Sequence, residues 1–136
     1  MPLMGAPSTR PPKGRLIVVV EDDAAVRRML VTMLEDLGHL IACEDGQDAL
    51  VHIAALPRPP DLVITDVMMP KVDGLELVQR LKADASLRHV PVIILTAKGR
   101  APDMVAGINA GARHYLTKPF KRDELRTKVR RVLRVA

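Results

Sequence analysis

Glu21-Asp22-Asp23, Asp66, Thr96 and Lys118 each stand at or just past the end of a short apolar run. The runs are Leu16–Val20 before the three acids, Leu62–Thr65 before Asp66, Val92–Leu95 before Thr96, and Ala112–Leu116 before Thr117-Lys118-Pro119. In a parallel α/β sheet, ligands collect beyond the carboxyl ends of the strands. The acids, the hydroxyl and the lysine should therefore converge on one small cleft. Carboxylates gathered this closely repel: two unit charges ~4 Å apart cost about 4 kcal/mol at an effective dielectric of ~20. A site of that kind usually exists to hold a divalent cation.

The elements that must position these residues follow from periodicity. Val26, Met29, Leu30, Met33, Leu34 and Leu37 recur at helical spacing after the first strand, and Gly38 is read as the helix stop. His39–Cys43 forms a second strand, Asp45-Gly46 turns the chain, and a helix runs to about Leu56 before Pro57. Leu62–Thr65 is the third strand, and Asp73-Gly74 opens a helix with Leu75, Val78 and Leu81 inward. Val92–Leu95 is the fourth strand, Pro102 fits the first turn of a helix to Ala110, and Gly111 introduces a fifth strand over Ala112–Leu116. Leu125, Val129, Val132 and Leu133 give the last helix its core stripe. Strand and helix alternate five times, which demands a parallel sheet with helices on both faces. The expected class is α/β, a (βα)5 flavodoxin-like doubly wound sheet in the order 2-1-3-4-5. That order brings the ends of strands one, three and four together.

Composition narrows the function classes. A chain of 136 residues with 48% hydrophobic and 27% charged content reads as one soluble domain. Tyr115 and Phe120 are its only aromatic residues, which argues against stacking on single-stranded nucleic acid. Cys43 is the single cysteine, so an internal disulfide is excluded, and its place at a strand end reads as inert burial. No apolar run approaches the ~18 residues of a membrane span, and no signal-peptide core is present, so a cytoplasmic location is expected. The net charge of +5 is local: seven basic residues and two acids fall between Phe120 and Ala136, and the rest of the chain is neutral. Residues 1–14, with Pro2, Pro7, Pro11 and Pro12, read as a disordered tail ahead of a domain at 15–136. His39, His52, His89 and His114 show no metal-ligand spacing.

Each candidate has an ordinary explanation alone: a helix cap for Glu21-Asp22-Asp23, a turn for Asp66, a loop hydroxyl for Thr96, a solvated amine for Lys118. Together they are specific. Val-Val-Glu21-Asp22-Asp23, Asp66-Val-Met-Met-Pro70 with Asp73-Gly74, Thr96-Ala97 and Lys118-Pro119-Phe120 make the chain resemble the receiver domains of two-component response regulators, from Leu16 to about Leu133.

The resemblance implies that Asp66 accepts a phosphoryl group from a phosphohistidine of a sensor histidine kinase or histidine phosphotransfer protein. It implies Mg²⁺ held by Glu21, Asp22, Asp66 and the Met68 backbone carbonyl, with Lys118 neutralising a phosphoryl oxygen and the Lys118–Pro119 bond cis. It further implies a switch in which the Thr96 hydroxyl moves to the phosphoryl group and Tyr115 rotates inward behind it. The fourth helix, fifth strand and fifth helix would then contact a downstream protein, around Ala101–Ala110, Arg113–Leu116 and Lys121–Arg134. A phosphorylation-dependent homodimer is one form such an output takes. Met68 and Lys98 would line the cleft mouth and tune hydrolysis, and an apolar Met68 implies slow self-dephosphorylation.

Other readings fit less well. An aspartyl-phosphate hydrolase of the haloacid-dehalogenase type wants a second Asp two residues past the nucleophile, where this chain has Met68. A flavodoxin-like cofactor binder wants a Ser/Thr/Gly-rich loop after the first strand, where this chain has Glu-Asp-Asp. Direct nucleic-acid binding by the basic last helix is disfavoured against a solvated face or an acidic partner. Met1 and the tail favour a stand-alone receiver, of the chemotaxis-receiver kind, over one excised from a longer regulator or hybrid kinase.

Overall fold

The computed structural model describes residues 14–67, 69, 71–97 and 101–134, with the side chains of residues 101, 103 and 104 outside the description. All of the expected tail at residues 1–14 except Gly14, and the tuning positions Met68 and Lys98, lie outside the described residues. Ten elements alternate: β1 (Leu16–Val20), α1 (Ala24–Leu34), β2 (His39–Cys43), α2 (Gly46–Ala54), β3 (Leu62–Asp66), α3 (Gly74–Ala83), β4 (Val92–Ala97), α4 (Ala101–Ala110), β5 (His114–Lys118) and α5 (Arg122–Leu133). The strands are parallel in the order β2-β1-β3-β4-β5, as the alternation predicts.

Side chains alternate across a strand, so each central strand feeds two cores. Val18, Val20, Val63, Val92 and Ile94 face Ala49 and Ile53 of α2 and Leu77, Val78 and Leu81 of α3. Ile17, Val19, Leu62, Ile64, Ile93 and Leu95 face Leu30 and Leu34 of α1 and Leu125, Val129 and Leu133 of α5. Being covered on both sides, β1 carries no polar residue at all, and all five of its positions are buried.

Several details differ from expectation, each for a local reason; β3 and β4 also run on to Asp66 and Ala97. α1 ends at Leu34 rather than running to Leu37, and a turn closed by Leu37 N–H donating to Leu34 O (2.8 Å) follows. Gly38 is not that helix's stop; a Cβ there would lie 2.8 Å from the Arg15 carbonyl, so the position is set by close passage beneath β1. α2 stops at Ala54, two residues short of Leu56, with its last amide bonds made by Ala55 and Leu56 in a turn. β5 starts at His114, not Ala112, because the Ala112 amide donates to Gly107 O (3.0 Å) and so finishes the end of α4. In α3 it is Leu77, Val78 and Leu81 that are fully buried, whereas Leu75 is only partly covered.

The basic helix also corrects an expectation. Arg126 is not on the exposed face of α5: it is 7% exposed and clamps Asp36 beyond α1 through two bonds, Nη1–Oδ1 at 2.7 Å and Nη2–Oδ2 at 2.9 Å. Its Nη1 also donates to Met33 O at 2.8 Å. Leu125, Val129 and Leu133 form the core stripe as read, with Val132 partly buried beside them.

The Arg126 guanidinium holds the Asp36 carboxyl at about 2, below its ordinary 3.8. A carboxyl whose folded value is depressed stabilises the fold above its ordinary range and loses that contribution as pH falls through the folded value. Asp36→Asn should therefore lower the unfolding midpoint near neutral pH. The difference from the unsubstituted protein should close between about pH 4 and pH 2, read by thermal unfolding followed by circular dichroism. A gap that persisted at pH 2 would refute the pairing as its origin.

Candidate functional site

The acid after β1 that matters first is Glu21. Its backbone amide continues the sheet by donating to Cys43 O (3.0 Å), which fixes the carboxylate at the strand end with 1% of the residue exposed. Asp23, the third acid, is the α1 cap: its Oδ1 accepts from the amides of Ala25 (2.9 Å) and Val26 (3.0 Å). That duty turns Asp23 toward its own helix and leaves Glu21 and Asp22 as the pair available to the cleft. Arg27, one turn into α1, donates to the Glu21 carbonyl at 2.8 Å. Nothing in the sequence pattern marks Arg27, because the bond is to backbone.

Asp66 closes β3 and pairs in register with Leu95 of β4, so Thr96 follows one residue beyond, itself paired with Thr117 of β5. Thr96 is 3% exposed and belongs to the strand rather than to a loop. Ala97 pairs with Lys118, which sends its ammonium across the strand ends. Lys118 Nζ donates to Asp66 Oδ2 at 2.7 Å and to Glu21 Oε1 at 2.8 Å. The Lys118–Pro119 peptide is cis, as the resemblance implies. One carboxylate oxygen from each of Glu21, Asp22 and Asp66 lies within 4.8 Å of the others. The structure thus brings together Glu21, Asp22, Asp66 and Lys118, with Thr96 beside them by register.

Burial raises the Glu21 carboxyl above its ordinary value, opposed by the hydrogen bond from Lys118. Burial alone would lower Lys118, but its bonds to Asp66 and then Glu21 outweigh that and raise it. The two carboxylates thus keep Lys118 cationic, while Lys118 offsets part of the burial that disfavours the Glu21 carboxylate. The donor set, three carboxylates and no thiolate or imidazole, suits a hard cation such as Mg²⁺.

The backbone beneath Asp66 is equally constrained. Gly74, the first residue of α3, donates its amide to Val67 O (3.0 Å), and a Cβ there would sit 2.1 Å from the Asp66 carbonyl. Asp73-Gly74 therefore does more than open a helix: the glycine lets α3 begin against the backbone of Asp66. Asp73 supplies the cap, accepting from Glu76 N at 2.9 Å.

Tyr115 stands on β5 with 41% of its surface exposed and the Lys128 ammonium 5.8 Å from its ring centroid, a cation–π distance. Its ring faces outward. Cys43 is buried as read, and burial pushes its thiol up to about 12. One expectation on histidine needs correcting: His52 does join Cys43 and Asp48 in a cluster whose ligand atoms lie within 4.8 Å. The helical i, i+4 spacing of Asp48 and His52 carried that signal. A thiol so resistant to ionisation is a poor metal ligand, and Asp48 is already engaged by the Glu44 amide at 3.0 Å.

Gly74→Ala should destabilise the domain by about 1–3 kcal/mol, the usual range for forcing atoms into a filled space, measured by denaturant unfolding. A neutral result would mean that the Asp66 backbone can move away freely. Asp22→Asn should have the opposite sign. In cation-free buffer, removing one of three crowded charges should stabilise the fold by ~1 kcal/mol, and an unchanged or lowered midpoint would show the acids to be adequately screened already.

Comparison with known proteins bears on the family and the fold. The family described as "Response regulator receiver domain" matches residues 17–130. The chain is 39% identical over 122 residues to the phosphate regulon transcriptional regulatory protein PhoB of Pseudomonas aeruginosa, covering 89% of this chain and 52% of that protein. It is 42% identical over 119 residues to the response regulator MprA of Mycolicibacterium vanbaalenii, covering 87% of this chain and 50% of that one. It thus spans about half the length of these relatives. Among solved structures it is similar to a response regulator from Chloroflexus aurantiacus, with TM-score 0.83, 34% identity, and 90% and 99% of the two chains covered. It is also similar to the signal receiver domain of a signal transduction histidine kinase from Syntrophus aciditrophicus, with TM-score 0.81, 34% identity, and 89% and 91% covered. With the flavodoxin-like sheet, the acids at its strand ends and the lysine between them, this chain belongs to the response regulator receiver domains of two-component signalling.

Proposed function

We propose that Asp66 accepts a phosphoryl group from a histidine kinase or histidine phosphotransfer protein. The observation that carries the reading is the Lys118 ammonium lying 2.7 Å from Asp66 Oδ2 and 2.8 Å from Glu21 Oε1, with Asp22 completing the carboxylate cluster. The three acids fit Mg²⁺, with Glu21, Asp22 and Asp66 as ligands; the Met68 carbonyl expected with them lies outside the described residues. When bound, the ion neutralises charge on the phosphoryl oxygens.

A carboxylate oxygen of Asp66 attacks phosphorus, the P–N bond to the donor imidazole breaks, and the imidazole leaves with the electron pair and takes up a proton. Little covalent assistance is needed, since the transition state is loose and catalysis is positioning plus charge neutralisation. Lys118 is already placed for this: it gives up a carboxylate contact for a phosphoryl oxygen without crossing the cleft. The phosphoryl group adds up to two negative charges beside Thr96. The Thr96 hydroxyl turns to it, and Tyr115 moves from its exposed setting into the space behind. The surface that reports the change is α4–β5–α5, where Val105, Ile108 and Tyr115 are exposed apolar positions for a downstream partner or a second copy of the chain. The relatives named as transcriptional regulators support an output of that kind within gene control. No helix of the described residues is long and apolar enough to cross a membrane.

Incubation with Mg²⁺ and acetyl phosphate should add the mass of one phosphoryl group to the intact protein, and the gain should vanish in Asp66→Asn and with chelator. A folded protein that binds Mg²⁺ yet gains no mass would overturn the proposal.

A further inference from the structure

At the amino ends of β4 and β5, away from the carboxylates, a groove of about 1040 Å³ opens between α3, α4 and α5. Its polar lining is entirely basic: Lys82, Arg88, His89, Arg113, His114 and Arg134. Among the described residues no Asp or Glu lines it. Pro91, Val92 and Val132 give it an apolar floor.

The cations are held together against their own repulsion. Lys82 Nζ donates to Arg88 O at 2.8 Å and Val90 O at 3.1 Å, which aims the ammonium and leaves one N–H for a ligand. Its stem lies over Gly111, where φ is +123° and a Cβ would come 2.7 Å from Lys82 Cγ, so only glycine lets the lysine lie there. Burial and then the Arg113 charge lower Lys82, while burial, Lys128 and Arg113 lower His114. Asp84, the acid whose carboxyl feels Arg88, is held by Ser86 through its amide (2.8 Å) and hydroxyl (2.7 Å). The groove is thus a positive concavity with no acidic side chain in its lining among the described residues.

We propose that this groove binds a polyphosphate anion, with the phosphate chain on Lys82, Arg88, Arg113 and Arg134 and the organic part of a nucleoside triphosphate over Pro91, Val92 and Val132. Guanidinium forks match phosphate oxygens bidentately, and a triphosphate concentrates its charge within the span of one groove. An acidic peptide would need several adjacent carboxylates to match it. The site does not use the phospho-acceptor chemistry, but it shares Ile108, Arg113, His114 and Arg134 with the α4–β5–α5 surface proposed for output.

The test is titration of the intact chain in Mg²⁺-free buffer with ATP, and separately with inorganic tripolyphosphate, followed by amide chemical shifts and calorimetry. Both probes should shift the amides of residues 88–92 and 112–114. Arg88→Glu and Arg113→Glu, at exposed positions that spare the core, should each weaken binding by ~10-fold or more, as loss of a charge-assisted hydrogen bond predicts. Arg28→Glu, an exposed charge on α1, should leave binding within twofold. ATP binding more tightly than tripolyphosphate supports the site and assigns the nucleotide; equal affinity supports it and assigns the bare phosphate chain. Absence of shifts at the groove, or equal weakening by Arg28→Glu, overturns it.

Discussion

Like-charge crowding at the ends of β1 and β3 is the constraint around which the rest of the molecule is arranged. Glu21, Asp22 and Asp66 are brought together by sheet register, and Lys118 alone among the described side chains donates to both Glu21 and Asp66. Glu21 is buried and Lys118 about three-quarters so; Asp66 and Glu21 hold Lys118 charged, and Lys118 opposes the burial that disfavours the Glu21 carboxylate. A charge pair of this kind is weak evidence for stability, since desolvation offsets much of the attraction. It is better understood as a loaded arrangement, held in place by a sheet that does not depend on it.

That sheet is stiff because it is apolar on both faces. Two separate cores, one under α2 and α3 and one under α1 and α5, grip alternate residues of the same strands. A shift of one residue in any central strand would exchange the two sets and carry Asp66 away from Lys118. The position of the charges is therefore set by packing that lies wholly outside the cleft. Gly74 adds a second restraint, since α3 begins in contact with the Asp66 carbonyl.

Much of this was legible in the chain. Uninterrupted apolar runs such as Leu16–Val20 and Leu62–Ile64 mark doubly covered strands, and residues at their ends mark the cleft. Legibility failed where backbone carried the signal. β5 is an edge strand whose positions alternate between half-buried and exposed, so its apolar pattern is faint and the run at Ala112 pulled its start two residues early. Gly38 looked like a helix stop, but it answers to the Arg15 carbonyl, a partner distant in the chain. Arg126 and Arg27 looked like any other surface cations, because their partners, a carboxylate 90 residues away and a carbonyl, leave no local pattern.

The Arg126–Asp36 clamp has a mechanical consequence. An α-helix turns about 100° per residue, so α5 cannot slide or roll by even one position without pulling both guanidinium nitrogens off the carboxylate. The clamp acts as a detent on the helix: it gives α5 one azimuth against α1. Rotation of α5 against α1 would have to break this clamp first.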